Sequence, residues 1–519
     1  MPHAEAFCSG LRVHRPPLAR GVHLPGRRRR RQRSANTVRH AEDAAELALG
    51  LRVHRNGRPR RERPPRLRRP LSQQRAERGR RPDGPAPHGG QLERLRLVLR
   101  PVLHDLRRGA DVEHRQHVDP RTGRHRQRPD HGLRPKHHTA VHLSLNYHAT
   151  SGIPTVNGDV VSSVSTDGGL TWQTPTVVGH GRGAHFFGDK EDATVDTDAT
   201  SPFYGRIYVT WTGFTGNAKV STSSPIMMAS SDDGGTTWSA PAAISGSNPT
   251  YCTYQTAGPA GVCDEDQGSA PRVGPGGVLY VAFMNSQNSA AWEPGEKFED
   301  QYMVVTSRDG GRTFSAPVHV VDLEDGTLDY PLNVDGRQTL TGFQMRVWGA
   351  GTLAVSPTSG RLYLTYSDNS AGVHDVANPV TKSEVFIVSS PDGITWSAPS
   401  MVDPASPESW FPWVDVAPDG TVGVLFNDRR PGDTYVATLA QGAPGSFTST
   451  VVSGALSHPN ESAFFQAGIP ACPMCTRFHG DYLGLDYGSD GVANVAWTDM
   501  RDTTPGITGY QQFIYFARR

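Results

Sequence analysis

One short motif occurs four times in the last three quarters of this chain: SVSTDGGLTW (Ser163–Trp172), ASSDDGGTTW (Ala229–Trp238), VTSRDGGRTF (Val305–Phe314) and VSSPDGITW (Val388–Trp396). The common form is Ser-x-Asp-Gly-Gly-x-Thr-aromatic, with one glycine missing from the fourth copy. Such a sequence suits a tight hairpin turn. The carboxylates of Asp167, Asp233, Asp309 and Asp392 can accept hydrogen bonds from turn amides. The glycines supply positive φ. The Thr returns the chain to β geometry, and the final Trp or Phe is predicted to pack between neighbouring sheets. Aspartates 66, 76 and 83 residues apart make this a repeat array.

A second motif accompanies the turns. GRIYVTW (Gly205–Trp211), GVLYVAF (Gly277–Phe283) and GRLYLTY (Gly360–Tyr366) read as alternating strands after a glycine, as do GTVGVLFNDRR (Gly420–Arg430) and GVANVAWTDMRD (Gly491–Asp502). Each unit then runs strand, hairpin, strand, long loop, strand, Asp turn, strand. The predicted fold is all-β, a propeller of four-stranded antiparallel blades. Six blades begin near residues 141, 192, 266, 345, 412 and 481; a seventh would have to lie in the first 140 residues. The first blade is predicted to take its innermost strand from before residue 141, and the last to end one strand short at Tyr510–Arg519. An α/β fold would need helices between strands, where this chain has Gly/Ser/Pro-rich loops.

The turn sequence resembles the Asp box of sialidases (neuraminidases) and of bacterial neuraminidase repeats, and the resemblance covers roughly residues 141–519. It implies that the four Asp turns are structural and lie on the face opposite an active site.

Residues 1–140 are of another kind. They hold 34 Arg and one Lys against 13 Asp and Glu, a net charge of +22, so the remainder carries −20 of a formal total of +2. They also hold 13 of the 21 His and a single Phe, with no Trp or Tyr. Such a composition cannot bury a core of its own. It reads either as a disordered basic tail suited to nucleic acid or an acidic surface, or as a GC-rich reading frame translated out of frame up to about His138. The second reading accounts for the scattered His, and under it the chain has no nucleic-acid partner.

Four cysteines lie in the repeat region. Cys252 and Cys263 flank a Gly/Pro-rich loop and are predicted to form a disulfide. Cys472 and Cys475 form a Cys-x-x-Cys pair with three readings: a tight disulfide, a redox pair, or half of a zinc site. An even count fits an exported protein, secreted or on the cell surface. No long apolar run indicates a membrane span.

In a propeller, inner strands start, and second strands end, around one mouth of the central channel. Inner-strand starts place Lys190, Asp192, Asp266, Arg346, His479, Asp481 and Tyr482 there, and second-strand ends add Arg429 and Arg501. The resemblance implies roles for several. Tyr482, with Asp481 beside it, matches the nucleophilic Tyr, since a neutral phenol avoids repulsion by an anionic sugar. Asp192 is the candidate acid/base. Arg346, Arg429 and Arg501 are candidate ligands of the substrate carboxylate. The family's N-terminal Arg-Ile-Pro-type motif is absent; Glu408 and Glu461 are the candidate carboxylate partners of the Tyr. No cofactor is implied, with a structural calcium left open, and the protein is expected to be a monomer with a glycan substrate. Two function classes remain: an exo-acting sialidase-type glycosidase, or a non-catalytic propeller that binds glycan or protein. A three-arginine cluster separates them.

Overall fold

The computed structural model describes residues 126–127, 131–133 and 136–519, apart from 151–152, 182–186, 217–220, 256–257, 289–298, 327–328, 333–337, 376, 463–478 and 507–508, with backbone alone for 147–157. The Arg/His-rich segment up to residue 125 and the Cys472/Cys475 pair lie outside the described residues.

Six antiparallel sheets follow one another along the chain as the blades of a β-propeller. Blade 1 comprises Ala140–Thr150, Ile153–Ser165 and Thr176–Gly179, with Arg126–Gln127 and His131–Leu133 paired to the inner side of the first. Blade 2 comprises Phe187–Val195, Ile207–Gly216, Ile226–Ser231 and Ala242–Ala243, with a side strand Ser221–Ser223. Blade 3 comprises Asp266–Gly274, Val278–Gln287, Glu299–Ser307 and Val318–Leu323. Blade 4 comprises Thr352–Val355, Leu362–Asp368, Glu384–Ser390 and Ser400–Met401. Blade 5 comprises Ser409–Val416, Val422–Arg430, Thr434–Gly442 and Thr448–Val451. Blade 6 has three strands among the described residues: Gly484–Tyr487, Ala493–Thr503 and Tyr510–Arg518. The strands Arg126–Gln127 and His131–Leu133 lie where an inner strand before residue 141 is expected. Among the described residues no helix is long and apolar enough to cross a membrane.

The Gly-x-hydrophobic-Tyr motifs form the second strands. Their near-continuous apolar character follows from burial on both faces. Ile207, Val209 and Trp211 enter the core shared with blade 1, while Tyr208 points the other way into the core shared with blade 3. Likewise Leu279, Val281 and Phe283 face blade 2, and Tyr280, Ala282 and Met284 face blade 4. Period-2 alternation thus distributes each strand between two inter-blade cores.

The Asp turns close as predicted. Asp167 accepts from the Thr171 amide at 2.9 Å and hydroxyl at 2.6 Å, while Ser165 Oγ donates to Asp167 at 2.8 Å and accepts from the Gly169 amide at 2.8 Å. The same bonds recur around Asp233 and Asp309. The Thr171 hydroxyl and amide hold the Asp167 carboxyl down at about 2. The shortened fourth turn relies on the amides of Ile394 and Thr395, both 2.8 Å from Asp392. Each turn from the second onward also clasps the preceding blade. A Cβ on Gly235, which sits at φ 92°, would come within 2.8 Å of Val141 on blade 1, so only glycine permits that approach.

One expectation about these turns needs correction. Trp238, Phe314 and Trp396 pack between blades, and Trp238 Nε1 donates to Ser162 of blade 1 at 2.9 Å. Trp172 is 40% exposed and rests at 5.6 Å on His142 of its own blade. The other three each meet the blade that precedes their own, and Trp172 belongs to the first blade. Trp238→Ala should therefore cost about 3 kcal/mol in urea denaturation and Trp172→Ala less than about 1 kcal/mol. Equal losses would show that exposure does not govern these rings.

Candidate active site at the channel mouth

The inner strands of blades 2, 3 and 5 share a device that the sequence does not announce. Each has a register shift near its start, at Asp189/Asp192, Gln267/Ala270 and Trp410/Trp413. Within each shift one residue is left-handed: Lys190 at φ 48°, Gly268 at φ 66° and Phe411 at φ 53°. Gly480, ahead of the inner strand of blade 6, is also left-handed at φ 102°. Bulges of this kind re-aim side chains and recur beside functional sites.

Their result here is a convergence on Tyr482. Lys190 Nζ lies 5.1 Å from the Tyr482 ring centroid, and the Trp413 ring lies 6.0 Å from it. Gly268 lets Lys190 and Trp348 close in, since a Cβ there would be 3.1 Å from the Trp348 ring and 3.9 Å from Lys190 Cδ. Arg346 forms an ion pair with Asp481, the neighbour of Tyr482. Blades 2, 5 and 6 and the loop before blade 4 thus each contribute a side chain to one mouth. Trp348, Trp413 and Tyr482 are half-buried, so each keeps ring surface open to solvent. Cations and aromatic faces together form a surface suited to a polar ring carrying negative charge.

The other predicted residues stand as follows. Asp192 is buried, accepts from the Ala193 amide at 2.7 Å and pairs with Arg272 at 3.2 Å. Arg429 binds Glu408 at 2.5 Å, also pairs with Asp433, and lies 4.8 Å over the Phe343 ring. Arg501 pairs with Asp499 and lies 4.4 Å over Tyr515. The structure therefore brings Tyr482, Asp481 and Arg346 together and gives each of the three arginines a different carboxylate. Glu408 serves Arg429, and Glu461 lies beside His458 at 3.5 Å. Cys252 and Cys263 form the expected disulfide. Sequence reasoning missed Trp348, Trp413 and Arg272. The Trp-Phe-Pro-Trp run at 410–413 was the available signal for one of them.

Two buried titratable groups lie close by. His479, stacked at 5.6 Å on Phe411, is driven by burial down to about 4 and is neutral at physiological pH. Asp266, at the start of the inner strand of blade 3, is pushed by burial up to about 7, although Asn285 donates to it at 2.7 Å. An acid with a raised folded value binds more protons folded than unfolded. Its contribution to stability is complete below the unfolded value and is lost as pH rises towards 7. Asp266→Asn should therefore gain on the wild type by a few kcal/mol, to order of magnitude, between pH 5 and pH 8 in chemical denaturation. A constant difference across that range would show that Asp266 stays ionised in the fold.

Comparison with protein-family models finds no match, and comparison with curated proteins finds none either. Among solved structures, a protein of unknown function from Dyadobacter fermentans is 12% identical, with a TM-score of 0.46 over 79% of this chain and 97% of that one. A Hadza microbial sialidase is 15% identical, with a TM-score of 0.43 over 76% of this chain and 67% of its own. An α-L-arabinofuranosidase from Fusarium graminearum is 13% identical, with a TM-score of 0.44 over 79% of this chain and 97% of its own.

Proposed function

We propose that this protein is a sialidase-like glycoside hydrolase acting on a terminal sialic acid or related anionic sugar at the channel mouth. The observation that carries the reading is the convergence of Lys190 and Trp413 on Tyr482, with Arg346 paired to the adjacent Asp481. The aromatic faces would bind the sugar ring, and Lys190 and Arg346 would attract its carboxylate. The Tyr482 oxygen would attack the anomeric carbon while its proton passes to Asp481, and Asp192 would protonate the departing aglycone; water would then release the sugar from the tyrosine. The Asp boxes of the neuraminidase-repeat class, export to the cell surface or medium, and action as a monomer belong to the same reading. The Cys252–Cys263 disulfide supports export.

A second reading, a non-catalytic propeller that binds glycan, is favoured by the pairing of Arg346, Arg429 and Arg501 with separate carboxylates. The two part on one experiment. The full chain is offered an aryl sialoside and, in parallel, an immobilised sialylated glycan. Release of the aryl group supports the hydrolase, and Arg346→Ala should then raise KM at least about tenfold. Retention of the glycan without release supports the binding protein. Absence of both release and retention would sink both readings.

A further inference from the structure

We propose that Glu324, Asp329 and His374 form a binding site for a divalent transition metal of the zinc or manganese class, on the mouth side of blades 3 and 4. One imidazole nitrogen and two carboxylate oxygens meet there, all within 4.8 Å of one another. His374 Nδ1 is 2.9 Å from Asp329 Oδ1 and 3.7 Å from Glu324 Oε2. In a tetrahedral site with bonds of about 2.1 Å the ligand atoms stand about 3.4 Å apart, between those two distances.

The imidazole is presented in the manner of a ligand. His374 Nε2 lies 3.2 Å from the Asn369 carbonyl oxygen. A carbonyl only accepts, so Nε2 carries a proton, and in the neutral ring Nδ1 turns its lone pair towards the two carboxylates. An outer N–H held by a backbone carbonyl is what orients the histidines of metal sites. Asp329 is fully buried and preset as well: its Oδ2 accepts from the Gly326 amide at 2.7 Å, while Oδ1 faces the imidazole. The Asn369 side chain binds the Asp329 carbonyl at 2.5 Å, which joins the segments carrying the two ligands.

The donor set selects the metal. Calcium prefers six to eight oxygens, whereas one imidazole with two carboxylates and solvent suits zinc or manganese. Position supplies the consequence. Glu324 and Asp329 begin the connection 324–351 that carries Arg346 and Trp348, and His374 lies on the connection 369–383. A metal shared between them ties both connections to the rim.

The test uses the full chain, stripped with chelator and titrated with zinc, manganese or calcium chloride by calorimetry and thermal denaturation. One equivalent of zinc or manganese should bind and raise Tm, and His374→Gln and Glu324→Gln should each weaken binding at least about tenfold. A variant with Cys472→Ser and Cys475→Ser should bind as the wild type does. Cobalt(II) should give d–d absorption without thiolate charge-transfer bands. If His374→Gln fails to fold, Glu324→Gln decides the matter, since that carboxylate is partly exposed. No bound metal, a preference for calcium, or binding that survives both ligand substitutions would each overturn the proposal.

Discussion

Tyr482→Phe should lower turnover of an aryl sialoside by roughly three orders of magnitude, about 4 kcal/mol of transition-state stabilisation, while KM and Tm stay close to wild type. The substitution removes one oxygen. The ring that meets Lys190 and Trp413 remains, so binding by those contacts is retained. What disappears is the proposed nucleophile, together with the phenolic proton that Asp481 would receive. Loss of activity with normal binding would separate a chemical role from a packing role. Turnover at the wild-type rate would remove Tyr482 from the mechanism even if the substrate class were right.

Trp410→Ala should cost about 3–5 kcal/mol, enough to shift the urea midpoint substantially or leave the domain partly unfolded. Trp410 is fully buried and meets Phe343 and Tyr435 edge-on, each at 5.5 Å. Tyr435 in turn lies 6.1 Å from His479 and donates to the Thr498 carbonyl at 2.8 Å. One indole therefore supports the loop before blade 4, the inner strand of blade 5 and the start of blade 6 together. A loss below about 1 kcal/mol would show that the cluster repacks around the hole.

The parts of this fold legible in the sequence are those written in local periodicity. The Asp turns depend on residues within five positions of one another, and the second strands declare burial on both faces by their apolar runs. The site was legible only in outline. Repeat position placed Tyr482, Asp481 and Arg346 at one mouth, and the structure brings them together. Repeat position could not show that Asp192 pairs with Arg272, 80 residues away, because that contact depends on how neighbouring blades pack. Nor could it foresee left-handed residues at Lys190 and Phe411. Neither is a glycine, so nothing local marks the backbone that turns them. The meeting of His374 with Asp329 is likewise a product of two long connections folding onto the same rim.

The clasp made by each Asp turn on the blade before it gives the propeller a direction. Blades 2, 3 and 4 are each fastened backwards, by glycines seated on the predecessor and by a partly buried Trp or Phe. Blade 1 offers its own Trp172 to solvent, and blade 6 has three strands among the described residues. Cooperativity in such an array passes between neighbours and is weakest at its ends. Blades 2 and 3, each clasping its predecessor and clasped by its successor, act as the keystones, and from the far side of blade 4 through blade 6 the array can be parted without breaking an Asp-turn clasp.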